Sequence, residues 1–225
     1  MTNNSKMPIT VTAHSGCENT KENSIESVKT AFLSGADITE VDIRYDKNGV
    51  PVLSHDEPKG NETTLEEAFS VIEKKNNLRV NLDIKDTSHL ENIPPLAEKY
   101  SLTDRIFYTG IFEKDIPTVK EKTPDVPYLL NMQIAPKKAQ TEEYLCSVAE
   151  TIKRCGATGL NAHYKNVTKK LVDFLHNEEL SVSLWTVNKK FSMRRILRLS
   201  PDNITTKKPS ELLKIINRSE CHDKT

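Results

Sequence analysis

Short strand-like segments alternate with helical patterns along almost the whole 225-residue chain, and this alternation sharply limits the possible folds. Eight segments are rich in β-branched and apolar residues, and the stretches between them carry apolar residues at helical spacing. The predicted strands are 9–14, 38–45, 79–85, 105–109, 128–133, 158–163, 181–187 and 203–206. Eight such pairs favour an α/β fold of the TIM (β/α)8 barrel type, with a doubly wound open sheet as the competing architecture.

The sequence predicts a single domain with little added to the barrel. We expect residues 1–8 to form an N-terminal extension, residues 9–217 the barrel and residues 218–225 a polar C-terminal tail. An Asn-Gly turn leads into a short additional strand over residues 50–55. Residues 57–63 then lead to the next helix, which leaves only a minimal insertion after the second strand.

Charge and cysteine content exclude several classes of protein. Lys plus Arg total 32 and Asp plus Glu total 32, so the basic excess that is typical of a nucleic-acid-binding protein is missing. No run approaches the roughly 20 apolar residues of an integral membrane segment. The four cysteines form no CxxC pair, which favours a reduced, cytoplasmic protein.

Acidic side chains alternate with apolar ones in two predicted strands. Glu40, Asp42 and Arg44 share one face of the second strand, and Asp83 and Lys85 share one face of the third. Burying several carboxylates requires compensation, and a divalent cation such as Mg²⁺ or Ca²⁺ prefers oxygen ligands of this kind. The sequence therefore predicts a metal site made by Glu40, Asp42 and Asp83. An ion-pair network with Arg44 and Lys85 is the alternative.

Two histidines lie where barrel enzymes place their chemistry. His14 ends the first predicted strand and His55 ends the short additional strand. Imidazoles beside a metal site are suited to act as general acid and general base. Trp185, near the end of the seventh predicted strand, is interpreted either as a pocket wall or as part of the core.

Several motifs occur together in a fixed order. They lie in ITVTAHSG (9–16), KENSIESVKTAFLSGADITEVDIRYDKNGVPVLSHD (21–56), VNLDIK (80–85), LWTVN (184–188) and DNITTKKP (202–209). This combination resembles the glycerophosphodiester phosphodiesterase family over nearly the whole chain. The resemblance implies a TIM barrel that hydrolyses small-molecule glycerophosphodiesters to glycerol 3-phosphate and an alcohol, using a divalent metal ion.

The resemblance also assigns roles to individual residues. It places His14 and His55 at the acid/base pair, and Glu40 and Asp42 at metal ligands. The other matched positions are Asp83 at a ligand that is Glu in most members, Lys85 at a phosphate-contacting lysine, and Glu22 at the rim of the site. Because the family often carries a small lobe after the S-H-D segment, its absence here predicts an open pocket.

One departure bears directly on catalysis. The family usually has Arg immediately after the first histidine, whereas this chain has Ser15, which we place with Glu22, Lys85 and Trp185 among the substrate-binding residues. Serine offers no bidentate positive partner for a phosphate group. Three alternatives to the diesterase therefore stay open: a catalytically weakened phosphodiester-binding protein, a lysophospholipase D-like enzyme, and, ranked far lower, an unrelated metal-dependent barrel enzyme such as an aldolase.

Overall fold

The computed structural model describes residues 8–75 and 77–222, and a ring of strands forms its centre. The strands are β1 (Thr10–Ala13), β2 (Ile38–Tyr45), β3 (Pro51–Leu53), β4 (Arg79–Ile84), β5 (Ile106–Ile111), β6 (Tyr128–Asn131), β7 (Gly159–His163), β8 (Ser181–Trp185) and β9 (Asn203–Thr206). The helices are α1 (Ile25–Leu33), α2 (Leu65–Ile72), α3 (Ile93–Lys99), α4 (Ile116–Lys122), α5 (Glu142–Cys155), α6 (Lys169–Asn177), α7 (Lys190–Leu197) and α8 (Pro209–His222).

Eight of the strands close into a parallel barrel. Their order around the ring is β1-β9-β8-β7-β6-β5-β4-β2, and β2 returns to pair with β1. A helix follows each barrel strand, so the predicted TIM barrel is confirmed and the open doubly wound sheet is excluded. The short strand β3 pairs antiparallel with the second half of β2, as the Asn-Gly turn predicts.

Apolar faces of strands and helices form the main core between the two layers. Val41 and Ile43 point outward from β2 and are buried, as is Leu82 of β4. In α2 the apolar residues recur at helical spacing and all are buried. Thr64 caps this helix in a capping box with Glu67, which fixes where the helix begins.

The inside of the barrel is lined mainly by polar side chains. The buried members of this lining are Thr12, Asn81, Thr109, Asn161, Ser183 and Asn203. Near the start of the strands, Ile38, Phe107 and Leu129 form a small separate apolar cluster. The barrel is therefore apolar at one end and polar toward the carboxyl ends of its strands, where a site for a charged ligand is favourable.

Two segments at the termini need separate mention. Helix α8 continues through His222, so residues 218–222 of the predicted polar tail are helical, and residues 223–225 lie outside the described residues. Of the predicted N-terminal extension, only Pro8 is described. Within 8–75 and 77–222, no helix is both long enough and apolar enough to cross a bilayer.

Candidate active site

Three carboxylates meet at the carboxyl ends of two neighbouring strands. Glu40 and Asp42 point into the barrel from β2, and the parallel register sets Asp42 directly beside Asp83 of β4. One oxygen atom from each of the three side chains lies within 4.8 Å of the other two. We call these three residues the carboxylate cluster. Glu40 and Asp42 are buried, and Asp83 is partly buried.

Lys85, one residue beyond β4, neutralises part of this negative charge. Its Nζ lies 3.0 Å from Oδ1 of Asp42 and 2.5 Å from Oδ2 of Asp83. Burial alone would lower the pKa of Lys85, but the two carboxylates outweigh it and raise this pKa. Arg44 instead donates to the backbone carbonyl of His55 and pairs with Glu57, so it contributes nothing to the cluster.

A neutral donor holds one oxygen of each carboxylate in place. The three contacts are Ser15 N to Glu40 Oε2 (2.7 Å), Asn23 Nδ2 to Asp42 Oδ2 (2.8 Å) and Thr109 Oγ1 to Asp83 Oδ1 (2.8 Å). Such hydrogen bonds orient ligands toward a common point. The remaining oxygens are available to Lys85 or to a cation.

Asn23 and Ser15 form a small network behind Asp42. The Asn23 backbone N–H donates to Oγ of Ser15 over 2.5 Å, and Oδ1 of Asn23 accepts from the backbone N–H of Asp42 over 3.1 Å. Asn23 has a φ of 52°, a left-handed conformation that Asn adopts more readily than most residues. The Ser15 hydroxyl therefore faces Asn23, and this buried side chain does not line the cavity described below.

A glycine makes room for the carboxylate cluster beside β5. Gly110 has a φ of 76°, and a Cβ there would lie 2.4 Å from the carbonyl oxygen of Ile84 and 2.9 Å from Oδ1 of Asp83. The pairing of β5 with β6 is irregular at this point. Any side chain at residue 110 would push against Asp83 and against the end of β4.

Burial and mutual repulsion make Glu40 a weak acid in the absence of a cation. Burial raises its pKa most strongly, Asp42 and Asp83 raise it further, and the result is a pKa of about 7 despite the opposing effect of His14. A divalent cation at the cluster would favour the charged form instead.

His14 lies directly beside Glu40. Its Nδ1 is 3.7 Å from Oε2 of Glu40 and 2.9 Å from the carbonyl oxygen of Ser15. Burial alone would lower the pKa of His14, but the charges of Glu40 and Asp42 and the carbonyl contact raise it. The carbonyl accepts only from a protonated Nδ1, so Nε2 is the nitrogen left to exchange a proton with a ligand.

His55 follows β3 and is exposed. Its Nδ1 lies 3.0 Å from Oδ1 of Asp56, and its backbone carbonyl accepts a hydrogen bond of 2.9 Å from Nε of Arg44. The backbone at His55 is thus tied to β2, while the ring faces the same cavity as His14.

A single open cavity of about 1110 Å³ brings these groups together. Among the sequence-predicted residues it is lined by His14, Glu22, Glu40, Asp42, His55, Asp83, Lys85 and Trp185. Glu22 forms an ion pair with Lys207, just after β9. The opposite wall is made by polar and aromatic groups, including His163, which packs edge-on against Trp185 with ring centroids 5.5 Å apart.

Sequence reasoning missed the two side chains that orient the carboxylates from behind. Asn23 directly follows Glu22 in the matched E-N-S motif, so its position was on the page even though its role was not. Thr109 ends a predicted strand, and its inward direction followed from strand alternation. Phe112 and Lys114, which line the cavity from the connection after β5, gave no sequence signal.

Similar proteins are found in several bacteria. The chain is 27% identical over 94% of its length to a glycerophosphodiester phosphodiesterase of Caldanaerobacter subterraneus subsp. tengcongensis, covering 99% of that protein. It is 23% identical over 90% of its length to a glycerophosphodiester phosphodiesterase of Bacillus altitudinis, covering 96% of that protein.

Solved structures share the barrel at low sequence identity. An Oleispira antarctica phosphodiesterase in complex with the product sn-glycerol-3-phosphate superposes with a TM-score of 0.78 at 17% identity, covering 92% of this chain and 96% of that one. A glycerophosphodiester phosphodiesterase from Thermotoga maritima gives a TM-score of 0.74 at 20% identity, covering 93% of this chain and 99% of that one.

Membership of a family follows from a match that spans most of the chain. The sequence model of the glycerophosphoryl diester phosphodiesterase family matches residues 7–72 and 58–211. The resemblance inferred from the sequence motifs is thereby confirmed. The chain belongs to the glycerophosphoryl diester phosphodiesterase family.

Proposed function

We propose that this protein hydrolyses glycerophosphodiesters to glycerol 3-phosphate and an alcohol at the carboxylate cluster, with His14 and His55 as the acid/base pair. One observation carries the proposal. Three carboxylates from adjacent strands converge within 4.8 Å, in the same cavity that both histidines line. Family membership and the names of the relatives supply the substrate class.

The carboxylate cluster fits a hard divalent cation. It offers only oxygen donors, each already oriented by a neutral hydrogen bond, and the pKa of Glu40 is raised because its negative charge lacks compensation. Glu40, Asp42 and Asp83 would hold the ion, with Mg²⁺ or Ca²⁺ as the predicted species. When bound, a divalent cation neutralises charge that develops on the phosphoryl oxygens.

The two histidines divide the proton transfers. His14 keeps its Nδ1 proton on the Ser15 carbonyl, so Nε2 exchanges protons with the reacting group. His55 is held through its backbone by Arg44 and has an exposed ring, which suits it to a leaving group or nucleophile at the open side of the cavity. One residue removes a proton from the attacking oxygen, either the glycerol 2-hydroxyl or water, and the other protonates the departing alcohol.

Lys85 takes over positive charge that the family usually places after the first histidine. Ser15 is buried and bonded to Asn23, and no arginine is among the described residues that line the cavity. Lys85 lines the cavity and lies beside Asp42 and Asp83. We therefore assign Lys85 to the phosphate group, while Glu22 and Trp185 form parts of the surrounding wall.

The proposal is tested by following glycerol 3-phosphate with ³¹P NMR. The purified chain is incubated with glycerophosphocholine, glycerophosphoethanolamine and glycerophosphoglycerol, each with Mg²⁺, Mn²⁺ or Ca²⁺. We expect product with at least one diester and a loss of roughly 10²–10⁴-fold in turnover for His14→Ala and His55→Ala. His89→Ala is the matched control, because His89 is outside the cavity and packs against Tyr45.

Two results would redirect the assignment. Diester binding without hydrolysis under any of the three cations would favour the catalytically weakened binding protein that Ser15 suggests. Release of lysophosphatidate from a lysophospholipid, with no turnover of water-soluble diesters, would favour the lysophospholipase D-like enzyme. A cytoplasmic location stays a prediction from the cysteine content.

A further inference from the structure

The rim of the cavity is divided by charge. All barrel strands are parallel, so the connections that follow them lie at one end, around the cavity mouth. Strands β6, β7, β8 and β9 are consecutive neighbours, and the connections after them (132–141, 164–168, 186–189 and 207–208) form one continuous half of this mouth. We call it the lysine half. It contains no Asp or Glu, and its lysines are Lys137, Lys138, Lys165, Lys189, Lys207 and Lys208.

The other half of the mouth has the opposite character. It is formed by the connections after β1, β2, β4 and β5, which are residues 14–24, 46–64, 85–92 and 112–115. Its acids are Glu18, Glu22, Asp46, Asp56, Glu57, Glu62, Asp86, Glu91, Glu113 and Asp115. Its lysines are Lys21, Lys47, Lys59, Lys85 and Lys114. A chain with no net charge thus presents strongly polarised charge at its functional end.

Most charges of the lysine half are not neutralised locally. Lys207 pairs with Glu22. The other five lysines of this half are exposed, and none of them has a carboxylate within ion-pair distance in the part of the chain that the structure describes. The first turns of the following helices add the acids Glu142, Glu143 and Glu211 and the bases Lys169, Lys170 and Lys190. Including them leaves this side of the mouth positive.

A large apolar side chain stands among these cations. Phe191 is the second residue of α7, directly after the connection 186–189, and it is 79% exposed. Lys189 and Lys190 precede it, and Arg194 and Arg195 follow one helical turn later, on the same side of α7. An exposed aromatic ring surrounded by Lys and Arg is the pattern of a surface that inserts into a lipid headgroup region.

We propose that the lysine half of the mouth docks this protein on an anionic lipid surface, with Phe191 entering the headgroup layer. Charge complementarity favours this occupant over nucleic acid. An anionic membrane attracts only the charges within a Debye length of its surface, so a neutral chain with one positive face is sufficient. Docking in this way turns the lysine half toward the lipid and leaves the carboxylate cluster, on the other half, beside the headgroups.

The test is co-sedimentation of the full chain with vesicles of phosphatidylcholine alone or mixed with phosphatidylglycerol. We expect binding to the mixed vesicles only, and weaker binding at high salt. The variant K137S/K138S/K189S/K208S should lose at least about tenfold in affinity. The matched control is K29S/K74S/K120S/K214S, which removes the same charge from exposed helix positions beyond the first turn or past a helix end. F191S should weaken binding at every salt concentration.

Several results would overturn the inference. These are an absence of binding to the mixed vesicles at low salt, equal losses in the two quadruple variants, or tighter binding of duplex DNA than of vesicles. Thermal unfolding of each variant checks that the fold is intact. Since vesicle binding is measured without substrate, its outcome is independent of the proposed reaction.

Discussion

Replacing Lys85 by Met tests the electrostatics of the site most informatively. Met has a similar length and no charge, so the change removes the cation that lies 3.0 Å from Asp42 and 2.5 Å from Asp83. At an effective dielectric constant of about 20, one such pair at 3 Å gives roughly 5 kcal/mol of attraction before desolvation is subtracted. The Lys85 side chain is 23% exposed, and losing one partner of a largely buried pair costs roughly 3 kcal/mol.

We therefore expect Lys85→Met to lower the free energy of unfolding by about 3 kcal/mol when divalent cations are chelated. A bound cation replaces the missing charge, so saturating Mg²⁺ or Ca²⁺ should reduce the difference between variant and wild type to less than about 1 kcal/mol. Urea unfolding with EDTA and with each cation measures both quantities. Lys114→Met is the control, because Lys114 lines the same cavity without an ion pair among the described residues.

The reasoning would be refuted by either of two outcomes. One is an unfolding free energy in EDTA that Lys85→Met leaves unchanged. The other is a loss that stays the same with and without the cation, because the lysine would then stabilise the fold through packing of its methylene groups rather than through charge.

Three further predictions concern the surroundings of the cluster. Glu40 has a pKa of about 7 in the folded chain and 4.5 as its ordinary value, so the folded state binds more protons between these limits, and in EDTA the wild type should lose up to about 3 kcal/mol of stability relative to Glu40→Gln as pH rises from about 4.5 to 7, as urea unfolding at several pH values would measure; a pH-independent difference would contradict the raised pKa. Asn23→Ala removes the donor that orients Asp42 and should weaken cation binding by about 10–100-fold in calorimetric titration, whereas the exposed Asn61→Ala should not; equal affinities would exclude this orienting role. Trp185→Ala should raise KM more than it lowers kcat for a glycerophosphodiester, since Trp185 lines the cavity away from the carboxylates; a loss confined to kcat would place it at the reacting atoms.

The barrel and the inward acids were predictable because both follow from local periodicity. The alternation of apolar and charged residues in β2 and β4 placed Glu40, Asp42 and Asp83 on inward faces. Their convergence depends on the strand register, which sets Asp42 beside Asp83. A single sequence contains the alternation of each strand but not the offset between strands, so the 4.8 Å cluster could be expected but not measured.

Local backbone geometry explains where the sequence reasoning fell short. Arg44 shares a strand face with Asp42, yet it lies where β2 pairs with β3, and its side chain is satisfied by Glu57 and the His55 carbonyl. Ser15 follows His14 directly, but the turn after β1 directs its hydroxyl to the backbone of Asn23. Such side-chain directions depend on loop conformation, for which the sequence carries no periodic signal.

The account depends most on cation-dependent chemistry at the carboxylate cluster. The direct measurement is the rate of glycerol 3-phosphate release by chelated protein as Mg²⁺, Mn²⁺ or Ca²⁺ is added back, for the wild type, Asp83→Asn and the control Asp86→Asn. Asp86 lines the same cavity but is not part of the cluster. We predict no release without a cation, restored release in the wild type and Asp86→Asn, and a requirement for much more cation in Asp83→Asn. Full turnover in EDTA, or identical cation dependence in all three proteins, would contradict the account.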